Sequence, residues 1–502
     1  MPAVNATSVS AAPDGWTRPD WLVLSVLMLV AASRTLVIVL SPLELGVDEA
    51  QYWLWSTEFD FGYYTKPPLT SWIIGATHHL FGHHAWAVRL PAPWLHLLTA
   101  LILWRATFWL AGAVAGRWAA LLWACLPAVA LGSFVISTDT PLLLFWSLGL
   151  MALIGGFTGH IAMNRAMALA GAAFGVALLG KYAAIYGLIG ILLFWGVDRL
   201  AGGWRITLPS LAIFALAMGI AASPNLLWNL THDFTTVRHL GDNANLDQQS
   251  HDLLNSLQFL GGQFATAGPL VFALMFGILA QRRDPAARLL MCMSLPVIAI
   301  IMIQAYLSEA NANWALAAMP ALVVWLAGWL AGPASSPTRR RIGAAALIIN
   351  AGLSAIILAV TCAGSLGPLT PDSDPLRRQR GWQQLATDVT AALARHDAAT
   401  IIADRRAAAA LLSWHFHGTG IDVLVHDEDG VPSNHFEQNL AWSRHPDAPQ
   451  PGRRLIVLGG DTAPPDMNGV SWITAPPPLI STVGISRDRT RSVVLHQGVE
   501  SD

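Results

Sequence analysis

The chain has 502 residues, of which 54% are hydrophobic and only 12% charged, with a mean hydropathy of +0.49 and a formal net charge of −2. Soluble domains carry about 25% charged residues, so this composition excludes an ordinary soluble protein, and the small net charge excludes a general nucleic-acid binder. Cys125, Cys292 and Cys362 each fall inside an apolar run, which excludes a disulfide scaffold.

Residues 1–20 are polar and lack a basic leader, so the first apolar run is expected to be retained as an anchor. Membrane-length apolar runs follow one another at 21–41, 84–112, 114–134, 140–157, 165–180, 183–201, 207–227, 259–280, 287–307, 314–331 and 342–362. The shorter segment 67–82, entered by Pro67-Pro68, predicts a helix lying in the membrane interface. Arg34 and Arg105, the main charges within the runs, read as snorkelling side chains. Arg117, Arg165, Arg199, Arg205, Arg282, Arg283, Arg288 and Arg339 to Arg341 occupy alternate loops, which the positive-inside rule places in the cytoplasm. The opposite loops carry Asp48, Glu49, Asp139, residues 228–257 and Glu309 to Asn313, and are expected outside.

Beyond residue 362 the composition changes. Prolines, Asp and Arg punctuate β-like runs at 400–404, 421–427, 454–460 and 492–496, around a predicted helix over 376–396 with Asp374 near its start. The expectation is a polytopic α-helical membrane protein of about eleven transmembrane helices, with a periplasmic catalytic loop and a small C-terminal α/β domain. Its parts are a cytoplasmic tail 1–20, a membrane domain 21–362 with a first outer loop 42–83, and a periplasmic domain 363–502.

Chemistry concentrates in that first loop. GVDEAQYWLWSTEFDFGYYTKPPL, residues 46–69, holds four acids, one lysine, three tyrosines and two tryptophans. Polar groups are costly at a membrane surface unless something polar binds there. Asp48 reads as a general base toward a hydroxyl group, with Glu49 either a second catalytic acid or a solvated one. Lys66, stiffened by the two prolines after it, suits a lipid phosphate. Only two lysines, Lys66 and Lys181, stand against 27 arginines, and both fall on the outer side beside tyrosines: Tyr63 and Tyr64 for the first, Tyr182 for the second. Asp139 in ISTDTPLLLF is either a helix cap or a site carboxylate. SPNLLWNLTHDF, residues 223–234, adds Asn225, Asn229 and His232; the His232-Asp233 neighbours are too little for a metal site, and Asn229-Leu230-Thr231 forms a glycosylation sequon. Glu309 and Asn313 lie one helical turn apart at the mouth of a span. P-loop, dinucleotide and serine-nucleophile signatures are missing from the sequence.

GVDEAQYWLW followed by GYYTKPPL resembles the first outer loop of the C-type integral-membrane glycosyltransferases that use polyprenyl-phosphate sugars, including relatives of the protein O-mannosyltransferases and the lipid A aminoarabinose transferases. The resemblance extends over roughly residues 20–330, through the Asp of STDTP, Lys181-Tyr182, PNLLWN and the Asn-Trp at 313–314. Thr65 stands where the aminoarabinose transferases carry an acid before the lysine, and the C-terminal domain resembles the family only in placement. The resemblance implies an inverting transfer from a polyprenyl-phosphate sugar to a hydroxyl of an envelope glycolipid or protein, at the periplasmic face of a bacterial inner membrane, with membrane lipids as further partners. Asp48 would match the catalytic acid, and Lys66 would contact the donor phosphate. Lys181, Tyr63, Tyr64 and Tyr182 are assigned to donor phosphate or lipid, and Asp139, Asn225, Asn229, His232, Glu309 and Asn313 to substrate. No metal or other cofactor is expected. The alternative is a transporter for the same lipid-linked sugar, which should line a path with mid-span ionisable residues.

Overall fold

The computed structural model describes residues 16–203, 205–236, 251–332, 335–366, 374–427, 434–444, 450, 452–460, 463–467, 470–473, 478–486 and 489–501. Most of the N-terminal tail and residues 237–250 of the expected outer loop 228–257 therefore lie outside the described residues.

Among the described residues, nine helices are long and apolar enough to cross a membrane, each over one of the apolar runs. The two remaining runs are interrupted. Residues 114–134 divide into Ala113–Ala124 and Pro127–Gly132, because Pro127 has no N–H to continue a helix. Residues 259–280 form Leu253–Ala267 and Pro269–Gln281, bent by 113° at Gly268, whose φ of +86° suits glycine. Among the described residues, the eleven expected runs thus appear as nine membrane-length helices, one sharply bent pair and one run divided into two shorter helices.

The first break explains a buried charge. Arg34 is 4% exposed and donates to the Ala124 carbonyl at 2.6 Å and to Ser133 Oγ at 3.1 Å. It satisfies a carbonyl freed at a helix end instead of snorkelling.

The spans that carry site residues pack closely. A Cβ at Gly175 would stand 2.5 Å from the Met218 carbonyl oxygen, and one at Gly171 would collide with the Phe214 carbonyl. Glycine at these two positions lets Met163–Gly180 lie against Leu208–Thr231, in the manner of small-residue membrane interfaces. That contact brings Tyr182, just past the end of the first helix, against Asn225 and Asn229 of the second.

The loop 42–83 is itself structured. It contains a helix Val47–Thr57 and, over the segment 67–82, a helix Leu69–Phe81. The C-terminal domain is a mixed six-stranded sheet in the order β2-β1-β3-β6-β4, with β5 also on β6: β1 Thr400–Ala403, β2 Asp422–Val425, β3 Arg454–Gly459, β4 Val470–Ile473, β5 Leu479–Ser486 and β6 Arg489–Glu500. β1 runs parallel to β2 and β3, with the helix Arg406–His415 as the β1–β2 crossover, while β6 is antiparallel to β3, β4 and β5. The expected helix over 376–396 is a 3-10 turn Pro375–Gln379, capped by Asp374, followed by an α-helix Trp382–His396. One apolar core joins loop and domain: Trp53, Trp55 and Ile74 pack in the same cluster as Trp382, Leu411, Trp414 and Ile456.

Candidate active site

The Val47–Thr57 helix starts at Gly46, whose N–H donates to Glu49 Oε2 at 2.8 Å. Glu49 is 0% exposed. Its carboxylate receives Arg89 Nε at 2.9 Å and Arg89 NH2 at 2.8 Å, with the Ile136 N–H at 3.3 Å. Arg89 also donates to the Leu43 and Glu44 carbonyls and lies over the Phe134 ring. The sequence reading set Glu49 beside Asp48 as catalytic. In the structure its oxygens are closed off by these donors, which tie the helix start to the membrane domain.

Asp48 has the opposite environment. Successive helical residues point about 100° apart, and the Asp48 side chain is 64% exposed. Its Oδ1 accepts from the guanidinium of Arg406, whose Nε also donates to Gln51 Oε1 at 2.6 Å.

Lys66 comes from the far end of the same loop. The Tyr63 N–H donates to the Lys66 carbonyl at 3.1 Å, and the Tyr63 hydroxyl donates to the Trp55 carbonyl at 2.7 Å while its ring stacks on Trp55. The backbone before Pro67 is therefore held on both sides. The Lys66 ammonium is half-buried and, among the described residues, makes no ion pair or hydrogen bond. Burial pulls its pKa below the ordinary lysine value, and the nearby Lys181 acts in the same direction; Asp48, Arg406 and Asp139 also act on it. Lys181 is paired with Asp139, and Arg406 with Asp48.

Asp139 does not cap its helix with its side chain. It accepts Lys181 Nζ at 2.7 Å on one oxygen and Asn313 Nδ2 at 3.0 Å on the other. Lys181 is an extended residue between Met163–Gly180 and a 3-10 turn, so its side chain is directed into the bundle.

Tyr182, Asn225 and Asn229 are bonded to one another. The Tyr182 hydroxyl donates to Asn225 Oδ1 at 2.7 Å and accepts from Asn229 Nδ2 at 3.1 Å. Asn225 Nδ2 donates to the Phe61 carbonyl at 2.8 Å, and Trp228 Nε1 donates to Asp60 Oδ2 at 2.7 Å. This cluster seats the loop 42–83 on the Leu208–Thr231 helix. Asn229, inside that helix and buried, is a poor glycosylation acceptor. His232 stacks on Trp228 at 4.0 Å and is exposed, as is Glu309, while Tyr64 is half-buried. Arg89, Arg406, Gln51 and Asp60 were missed by sequence reasoning, since each acts on a partner far away along the chain. Among the described residues no cluster of three or more His, Cys, Asp or Glu side chains could hold a metal ion.

Residues 65–228 match the family model for dolichyl-phosphate-mannose-protein mannosyltransferases. The lipid A galacturonosyltransferase RgtD of Rhizobium johnstonii is 32% identical over 413 residues, covering 79% of this chain and 82% of the relative. The chain belongs to the C-type integral-membrane glycosyltransferases that use polyprenyl-phosphate sugars. Two structures of ArnT from Cupriavidus metallidurans share the fold of this glycosyltransferase. The apo form matches at 14% identity over 95% of this chain and 97% of ArnT, and the form bound to undecaprenyl phosphate at 15% over 96% and 98%, each with a TM-score of 0.64. The match in both cases runs over nearly the whole of each chain. The enzyme reading stands, and the transporter alternative is set aside.

Proposed function

We propose that this glycosyltransferase moves a sugar from a polyprenyl phosphate to a hydroxyl of a lipid A-type glycolipid at the periplasmic face of a bacterial inner membrane. The observation that carries the reading is an accessible carboxylate, Asp48, on the same loop as a half-buried ammonium, Lys66, that lacks a partner among the described residues.

Asp48 takes the proton of the acceptor hydroxyl, and that oxygen attacks the anomeric carbon from the face opposite the phosphate. The bond from carbon to phosphate oxygen breaks, the lipid phosphate leaves with the electron pair, and the configuration inverts. Negative charge that grows on the leaving phosphate lies near Lys66 and Lys181. Asp139 and Asn313 hold Lys181 in place. The departing group is a single phosphate, met by the Lys66 ammonium and the Asp139-paired Lys181, so the reading assigns no metal or other cofactor to the step. Tyr63, Tyr182, Asn225 and Asn229 support the site through the contacts described above, and the reading assigns Tyr64 to the donor phosphate or lipid and His232 and Glu309 to substrate.

The named activity of the Rhizobium relative supports a lipid A acceptor and makes a galacturonosyl donor the first to test. The undecaprenyl phosphate named for ArnT supports the class of lipid carrier. Alternation of arginine-rich loops supports a cytoplasmic N-terminus and a periplasmic C-terminal domain. Reporter fusions at residues 340 and 397 should accordingly report opposite sides.

The functional test is reconstitution of the purified protein with lipid A and a polyprenyl-phosphate galacturonosyl donor, read by mass spectrometry. A gain of one uronic acid residue is expected. No gain from that donor, with a gain from a neutral or amino sugar donor, would reassign the sugar. No product from any polyprenyl-phosphate sugar would contradict the acceptor.

A further inference from the structure

The C-terminal domain reaches the Val47–Thr57 helix with a cation, Arg406. Arg406 is the first residue of the Arg406–His415 helix, and its guanidinium bridges two residues of the Val47–Thr57 helix. Nε donates to Gln51 Oε1 at 2.6 Å, and NH2 donates to Asp48 Oδ1. Asp48 and Gln51 are three residues apart, hence on one helical face. Gln51 is 1% exposed, so the inner arm of the fork is anchored below the surface while the outer arm holds an accessible carboxylate.

The base of that arm is equally well placed. Trp53 and Trp414, one from each helix, meet edge to face at 4.8 Å, and both helices share the apolar core that joins loop to domain. Arg406 also belongs to the group of charges that act on Lys66. An ion pair this exposed adds little to folding stability, so stability does not account for it. A free aspartate side chain rotates about two bonds, whereas the fork holds one oxygen of Asp48. Among the described residues the other oxygen makes no hydrogen bond, and it is left for the acceptor hydroxyl.

We propose that Arg406 is a positioning residue for the Asp48 base, so that the C-terminal domain completes the active site. The proposal rests on Asp48 being the base, and the two readings fail separately. The experiment uses the full-length purified protein with Arg406→Gln, Arg406→Lys, Asp48→Asn and the double variant Asp48→Asn with Arg406→Gln. Misplacement of a reacting group by about 1 Å costs on the order of 10²-fold in rate. Arg406→Gln should therefore lower kcat by roughly 10–100-fold, with the KM for the lipid-linked donor little changed and the melting temperature unmoved. Arg406→Lys should restore part of the rate. In the Asp48→Asn background, Arg406→Gln should cost almost nothing further.

An unchanged kcat in Arg406→Gln, with Asp48→Asn inactive, overturns the positioning role and leaves the base standing. A raised kcat overturns it too, by showing that Arg406 masks the base. Equal fold-losses with and without Asp48, together with a lowered melting temperature, would make Arg406 a structural clamp. An active Asp48→Asn removes the base itself.

Discussion

Glu49 Oε2 lies 2.8 Å from Arg89 NH2, with both side chains almost completely buried, one residue away from an aspartate open to the site. Two adjacent acids therefore sit in different surroundings: one is buried and anchors the helix, the other is exposed. Removing one partner of a buried ion pair leaves an uncompensated charge and costs about 3–5 kcal/mol. Arg89→Ala should lower the melting temperature of the purified protein sharply, whereas Asp48→Asn should melt as the parent does. A parent-like melting curve for Arg89→Ala would show that the pair does not anchor the helix.

Lys66 should impose a pH limit on donor binding. Burial and Lys181 lower its pKa, so the ammonium is present below that value and is lost as pH rises through it. An anionic phosphate favours the charged form, so binding takes up a proton on the alkaline side. Affinity for a polyprenyl-phosphate donor should fall at a pH below the ordinary lysine value of about 10.4. Lys66→Arg should remove that alkaline limb because guanidinium stays protonated. Lys66→Ala should weaken binding by about 1.5–3 kcal/mol, the usual worth of a hydrogen bond to a charged group. Titration of the donor into each variant across pH decides this, and an unchanged affinity in Lys66→Ala would remove the phosphate role.

Gly62 is the point where the outer loop meets the Leu208–Thr231 helix. A Cβ there would run into the Trp228 ring and stand 2.8 Å from Asn225 Nδ2. Gly62→Ala should push the loop off its seat, disturbing the Trp228–Asp60 and Asn225–Phe61 hydrogen bonds. Transfer should drop more than melting temperature, because Lys66 moves with the loop while the membrane core is untouched. Full activity in Gly62→Ala would contradict the coupling of this seat to the site.

Much of this was legible in the sequence, for a physical reason. Hydropathy sums over about 20 residues, so nine runs announced their helices, whereas Pro127 and Gly268-Pro269 act at single positions that such a sum hides. β1, β2, β3 and the later part of β6 were visible as short apolar β-branched runs. β4, VSWI, alternates half-buried and exposed positions and makes no continuous apolar run, and β5 follows three prolines, so neither stood out. Asp48, Lys66, Asp139 and Lys181 were each singled out locally, and the fold brings them together. The difference between Asp48 and Glu49 was illegible, because it depends on Arg89, 40 residues away. Arg406 stands before a run of alanines without any motif, 358 residues from its partner. The polar groups of Tyr182, Asn225 and Asn229 were read as facing donor or substrate, yet they mainly satisfy each other, which only their three-dimensional neighbours reveal.

The central claim is that Asp48 removes the acceptor proton, and Asp48→Asn tests it most directly. The amide keeps the size and the ability to accept from Arg406, so the fold and donor binding should persist. The rate of sugar transfer to acceptor, measured at saturating donor on purified protein, should fall by about 10²–10⁴-fold, the usual cost of losing a general base. A rate within a few-fold of the parent would contradict the account and return Asp48 to a structural role.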